Sequence, residues 1–125
     1  MIDIEKKLNI KFPKEYMDFV NNISNNKKII LLDNGENILI KHFLSLNEEE
    51  DSIVKTYNEF KDVMLEGIIP IAVTGDEDYI CMYYEINREK SPKVILWSYE
   101  LALENRQEGI FIISNSFIEF IQKLK

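Results

Sequence analysis

The chain has 125 residues, of which 46% are hydrophobic and 30% charged, with 22 acidic against 15 basic side chains and a net charge of −7. Such a composition excludes a disordered chain, and a chain of this length buries about two-thirds of its unfolded surface, so it folds without a metal or disulfide. The charge argues against direct nucleic-acid binding, which neutralises phosphates with clustered Lys and Arg.

Asp3 is placed to cap a first helix running to Leu8, with Ile4 and Leu8 on one face, and Asn9 suits the left-handed position that ends it. A second helix is expected from Pro13, with Phe12, Tyr16, Phe19, Val20 and Ile23 forming a stripe of 3.6-residue period. Residues 21–28 are polar and close that helix. Strands at 29–32 and 38–40 flank Asn34-Gly35, a pair that tolerates the positive φ of a tight hairpin. Asn47 with Glu50 predicts the cap of a third helix, with Glu48, Glu49, Glu50 and Asp51 in its first turn, where the helix dipole favours acid. Its buried stripe is Ile53, Tyr57, Phe60 and Met64, and Gly67 is its stop.

A central hairpin follows. Its strands, 68–73 and 79–86, are rich in β-branched and aromatic residues and are joined by the acidic turn Gly75-Asp76-Glu77-Asp78. Residues 87–92 are a polar turn and 93–99 a strand. Residues 100–109 read as mostly loop with a possible helical turn, and 110–113 as a short buried strand. Ser116 with Glu119 caps a last helix with Phe117, Phe120, Ile121 and Leu124 inward. The short hairpin turns demand antiparallel pairing. The expectation is one α+β domain over 1–125. It has a twisted antiparallel sheet of about six strands with N-terminal, middle and C-terminal helices packed around it, over one face.

No catalytic constellation emerges. His42 is the sole histidine and follows a predicted strand, as a surface or sheet-edge residue would. Cys81 is the sole cysteine, which excludes an internal disulfide, and its mid-strand position predicts an inert, buried thiol. No phosphate-binding glycine loop and no calcium-loop spacing is present, so neither a metal nor a cofactor is expected. The start Met1-Ile-Asp-Ile-Glu-Lys-Lys lacks the pattern of a signal peptide, and no apolar run approaches the roughly 18–20 residues of a membrane span, so a cytoplasmic location is expected. With 20 Ile, 12 Asn and 13 Lys against 2 Arg, the composition points to a low-GC bacterial genome. The acid at 48–51 and 76–78 is either a solvated surface or the complement of a basic partner.

Several segments together resemble the SUKH superfamily, which includes yeast cell-wall-assembly regulators and bacterial toxin-immunity proteins. They are Ile10-Lys-Phe-Pro-Lys-Glu-Tyr16-Met-Asp-Phe19, Ile69-Pro-Ile-Ala72 leading through Gly75-Asp76 into Tyr79-Ile-Cys81, Val94-Ile-Leu-Trp97, and Ser116-Phe117-Ile-Glu-Phe120 through Leu124. The resemblance implies an α+β fold and no catalytic set. It also implies a role as a non-enzymatic immunity protein that binds a cognate toxin, often a nuclease, whose basic cleft an acidic surface would meet. Glu48, Glu49, Glu50, Asp51, Asp76, Glu77 and Asp78 are the expected partner-binding residues. The alternatives are a regulatory adaptor module, as in the eukaryotic relatives, or a small-ligand binder using a pocket near Trp97.

Overall fold

The computed structural model describes residues 2–21, 29–32, 34–46, 52–85 and 91–124. The chain opens with α1 (Ile2–Leu8) and α2 (Lys14–Asn21). Asn9 ends α1 in the expected left-handed conformation, φ +54°. Glu5 then fixes the link between the two helices, its backbone oxygen accepting from Ile10 N–H at 3.1 Å and its Oε2 from Phe12 N–H at 2.7 Å. Asp3 lies inside α1 rather than capping it. Pro13 stands just before α2, its carbonyl accepting from the Tyr16 and Met17 amides.

Six strands form one antiparallel sheet in chain order: β1 (Ile29–Leu31), β2 (Asn37–Phe43), β3 (Ile68–Thr74), β4 (Tyr79–Tyr83), β5 (Lys93–Trp97) and β6 (Ile110–Ser114). The Asn34-Gly35 turn forms as its chemistry dictates, with Gly35 at φ +88° and Leu32 N–H on Glu36 O at 2.9 Å. β2 runs further than expected and holds His42 within the strand, half-buried opposite Val73, rather than after it. A meander of this kind has two edges. The β1 edge is closed by the C-terminal segment, where Leu31 N–H donates to Lys123 O at 2.9 Å and Ile30 bridges Leu124.

Alternation along the strands divides the core into two. Ile40, Ile69, Ile71, Ile80, Met82 and Val94 face α1, α2 and α5 (Phe117–Gln122), joining Tyr16, Phe117 and Phe120 in the larger cluster. Ile68, Cys81, Ile95 and Trp97 face the other way, against Met64 and Ala102. Helices therefore cover both faces of the sheet, not one. α3 (Ile53–Phe60) straddles the rim, Ile53 entering the first cluster and Phe60 the second. Each large side chain fully buried in this way stabilises the fold by about 1.5–3 kcal/mol.

Local readings fail where tertiary contacts decide. The N-cap of α3 is Ser52, whose side chain accepts from Lys55 N–H at 3.1 Å, and not Asn47. The helix start is set by packing: Ile53 N–H bonds to Ser45 O at 2.9 Å and the Ile53 side chain is fully buried. α3 thus has no acid in its first turn, and residues 48–51 lie outside the described residues. Gly67 does not stop α3, which ends at Phe60; its φ of +93° and its contact with the Tyr84 carbonyl, into which any Cβ would project, serve the start of β3. Residues 99–104 are helical (α4, Tyr99–Glu104), capped by Ser98, and lead through a 3-10 turn (Arg106–Gly109) into β6. Ser116 caps α5 as expected, accepting from Glu119 N–H at 3.2 Å.

Candidate interaction surface

The turn between β3 and β4 is built by Thr74. Its N–H donates to Asp78 O at 2.8 Å, its carbonyl accepts from Glu77 N–H at 3.1 Å, and its Oγ1 accepts from Asp78 N–H at 3.0 Å. This is a three-residue hairpin loop whose last position is left-handed. That position is filled by Glu77, at φ +65°, and not by Gly75. A left-handed conformation costs a non-glycine residue roughly 1–2 kcal/mol. Gly75 instead donates its N–H to Leu39 O at 2.8 Å, tying the turn to β2.

The structure brings Asp76, Glu77 and Asp78 together, the first two exposed and the third half-buried. The Asp78 carboxyl is held above its usual range by partial burial first, then by the neighbouring charges of Asp76 and Glu100. Glu100, in the first turn of α4, is a member of this acidic group that sequence reading missed. Its signal was Ser98 three residues before Leu101, whose N–H the Ser98 side chain accepts. The remaining expected residues, Glu48, Glu49, Glu50 and Asp51, lie outside the described residues.

Two apolar surfaces flank the turn. On one side is a cleft of about 220 Å³, with Ile38, Leu39 and Leu96 on its apolar wall and Asn37, Asp76 and Asp78 on its polar one. Ligand pockets run from about 300 to 1,000 Å³ and are mostly enclosed, so this cleft suits a protruding side chain better than a small molecule. On the other side, Trp97 is the buried floor of an aromatic group. Phe60 packs 5.4 Å from it, and the Phe60 ring lies 5.1 Å from Tyr79 and 5.3 Å from Tyr99. Burial chiefly, with Glu59, Cys81 and Glu77 adding, holds the Tyr79 hydroxyl protonated beyond its usual range. Tyr99 is exposed at the rim.

Cys81 is 0% exposed, and burial pushes its thiol well up, so it is inert as expected. Among the described residues no group of three His, Cys, Asp or Glu is placed to hold a metal ion, and no helix is long and apolar enough to cross a membrane. The arrangement offers charge and apolar contact area, which is the chemistry of binding.

The sequence matches the SMI1 / KNR4 family (SUKH-1) over residues 2–123, and the chain belongs to that family. It is also 30% identical over 86 residues to the SPbeta prophage-derived uncharacterized protein YokK of Bacillus subtilis (strain 168), covering 69% of this chain and 41% of that one. The chain thus spans about two-fifths of that relative's length. No solved structure matches.

Proposed function

We propose that this protein is a cytoplasmic, non-enzymatic immunity protein that binds and neutralises a cognate toxin domain with a basic surface, through the acidic turn between β3 and β4. Family membership supports the class of partner, and the match to a prophage-derived protein agrees with genes that move between genomes.

The observation that carries the reading is the composition of the turn. An acid occupies the left-handed position at Glu77 where glycine meets no steric penalty, and the Asp78 carboxyl is raised first by its partial burial and then by the field of Asp76 and Glu100. The free protein is thus strained and self-repelling at one place, and strained residues of this kind cluster at functional sites. A cationic partner relieves the repulsion and accelerates encounter. Binding of a cation also lowers the pKa of Asp78, so affinity rises with pH through the free-state titration of that group and falls below it.

The test is co-expression with the toxic domain encoded beside the gene. Rescue of growth is expected, and equal killing with and without this protein across all neighbouring toxins would sink the reading. In the purified pair, reversing charge at Asp76 and Asp78 (D76K/D78K) slows association about tenfold at low salt and flattens its salt dependence. An unchanged rate removes the turn from the interface.

A further inference from the structure

We infer that β6 is an open docking edge on which an extended segment of the basic partner adds as a seventh strand. This inference rests on the immunity reading and names a second part of the same interface.

The two edges of the sheet are treated differently. The β1 edge is covered by the segment around Lys123 and Leu124. Among the described residues, no other element pairs with the outer side of β6. Natural edge strands are normally blunted by Lys, Pro, charge or a cover, because unpaired backbone groups recruit other strands. β6 reads Ile-Phe-Ile-Ile-Ser, without Lys, Pro or charge, and the register shift in its ladder with β5 falls beyond the Ile95–Ile112 pair, between it and Val94–Ser114.

Side-chain burial agrees. Successive strand residues point to opposite faces, yet Phe111 and Ile112 are both exposed, at 48% and 53%. In β3, β4 and β5, each flanked by two strands, no residue is exposed, and in β2, also flanked on both sides, the exposed residues Asn37, Leu39 and Lys41 alternate on one face only. A missing outer neighbour uncovers both faces at once, and an added strand covers both.

The backbone register identifies the outward groups. Ser98 N–H bonds to Gly109 O at 2.9 Å, and Ile110 N–H turns away from β5 to Gln107 O. Bonded and non-bonded pairs alternate in an antiparallel ladder. Leu96–Phe111 is therefore a bonded pair, and Ile112, opposite Ile95, presents its N–H and C=O outward.

Charge bears on the occupant. Glu104 and Glu108 stand exposed on the segment that leads into β6, and Arg106 between them, bonded to Asp62 O at 2.6 Å, keeps its positive charge, so two acids face one base there. A second copy carries the same net charge of −7 and is repelled as a whole, whereas a strand with Lys or Arg beside Glu108 complements the acid at this end of the sheet. The edge is continuous with the acidic turn: Phe111 pairs with Leu96, which lines the cleft beside Asp76 and Asp78. The added strand would lie three strand spacings from β4, about 14 Å, within the breadth of an ordinary protein interface.

The experiment measures binding of the full chain to the toxin domain of the adjacent gene. Ile112→Pro removes the outward donor and leaves the β5–β6 ladder intact, since proline is tolerated on an edge whose N–H faces solvent. Ile112→Thr keeps the N–H and is the control, and an unfolding curve for each variant checks the fold. Expected are at least 50-fold weaker binding for Ile112→Pro, a change under fivefold for Ile112→Thr, and new amide protection at Ile112 in the wild-type complex by hydrogen exchange. If Ile112→Pro does not fold, the Ile112 protection alone decides. Toxin binding without that protection, or with Ile112→Pro within threefold of wild type, overturns strand addition and leaves the immunity reading standing. A wild-type dimer broken by Ile112→Pro, with toxin binding unchanged, assigns the edge to a second copy and overturns it too. Absence of binding by every neighbouring toxin overturns the immunity reading and this inference with it.

Discussion

The central hairpin has two ends of opposite character. At the end where β3 starts and β4 finishes, Tyr84 N–H bonds to Gly67 O at 2.9 Å, and Tyr84 Oη donates to Lys11 O at 2.8 Å, linking the sheet to the segment between α1 and α2. The Tyr84 ring is buried and its hydroxyl is kept protonated by burial, with Glu5 and Tyr16 adding. At the other end the same two strands meet in a turn that carries strain and like charge. One end is arranged for stability and the other tolerates instability. If the proposed binding role holds, the second end is where stability gives way to function.

The largest expected effect is at the closed end. Gly67→Ala combines a positive φ with a Cβ directed into the Tyr84 carbonyl, so it should destabilise by about 2–5 kcal/mol in a denaturant titration. Gly75→Ala, at the open end, meets only ordinary contact with Leu39 at 3.5 Å and should change stability by less than about 0.5 kcal/mol. Equal effects at the two glycines would erase the contrast. Tyr84→Phe leaves Lys11 O without its donor and should cost about 1 kcal/mol, with the rate of association with the proposed toxin partner unchanged. Glu77→Gly should do the reverse, stabilising by roughly 0.5–1 kcal/mol while slowing association.

The smallest effect is electrostatic. Asp78 titrates above its ordinary value in the folded chain, so the folded state holds that proton more tightly than the unfolded one. Its contribution to stability is therefore greatest below pH 3.8 and declines as pH rises through the folded pKa. Asp76→Asn should lower the Asp78 pKa and narrow that window, and Glu100→Gln should do so less, as read by carboxyl NMR titration. An unchanged Asp78 pKa in both variants would show that neither charge faces Asp78.

Sequence alone exposed whatever local chemistry controls. Asn9, Asn34-Gly35 and Ser116 each specify a turn or cap within four residues, and each appears where expected. The strands of the central hairpin were legible from their β-branched runs. The failures share a cause. Ser52 and Asn47 are comparable caps, and the burial of Ile53, a long-range fact, selects Ser52. α4 buries only Ala102, so it shows no apolar period; it is held by Gly109, where an added Cβ would stand 2.8 Å from the Ala102 Cβ. In the turn, pairing of Thr74 with Asp78 puts the positive φ on Glu77, which no local signal marked. The acidic cluster at 76–78 was visible in the sequence; Glu100 joined it only through the fold.

The seam between β1 and the C-terminal segment sets an order of events during synthesis. Ile30 leaves the ribosome 94 residues ahead of Leu124, its bridge partner. At roughly 5–20 residues per second, the nascent strand waits about 5–19 s for that cover. The meander can zip up by neighbour pairing meanwhile, but its first edge stays sticky until residues 123 and 124 arrive. A chain cut short before residue 123 should therefore self-associate through β1, and one that includes residues 123 and 124 should not.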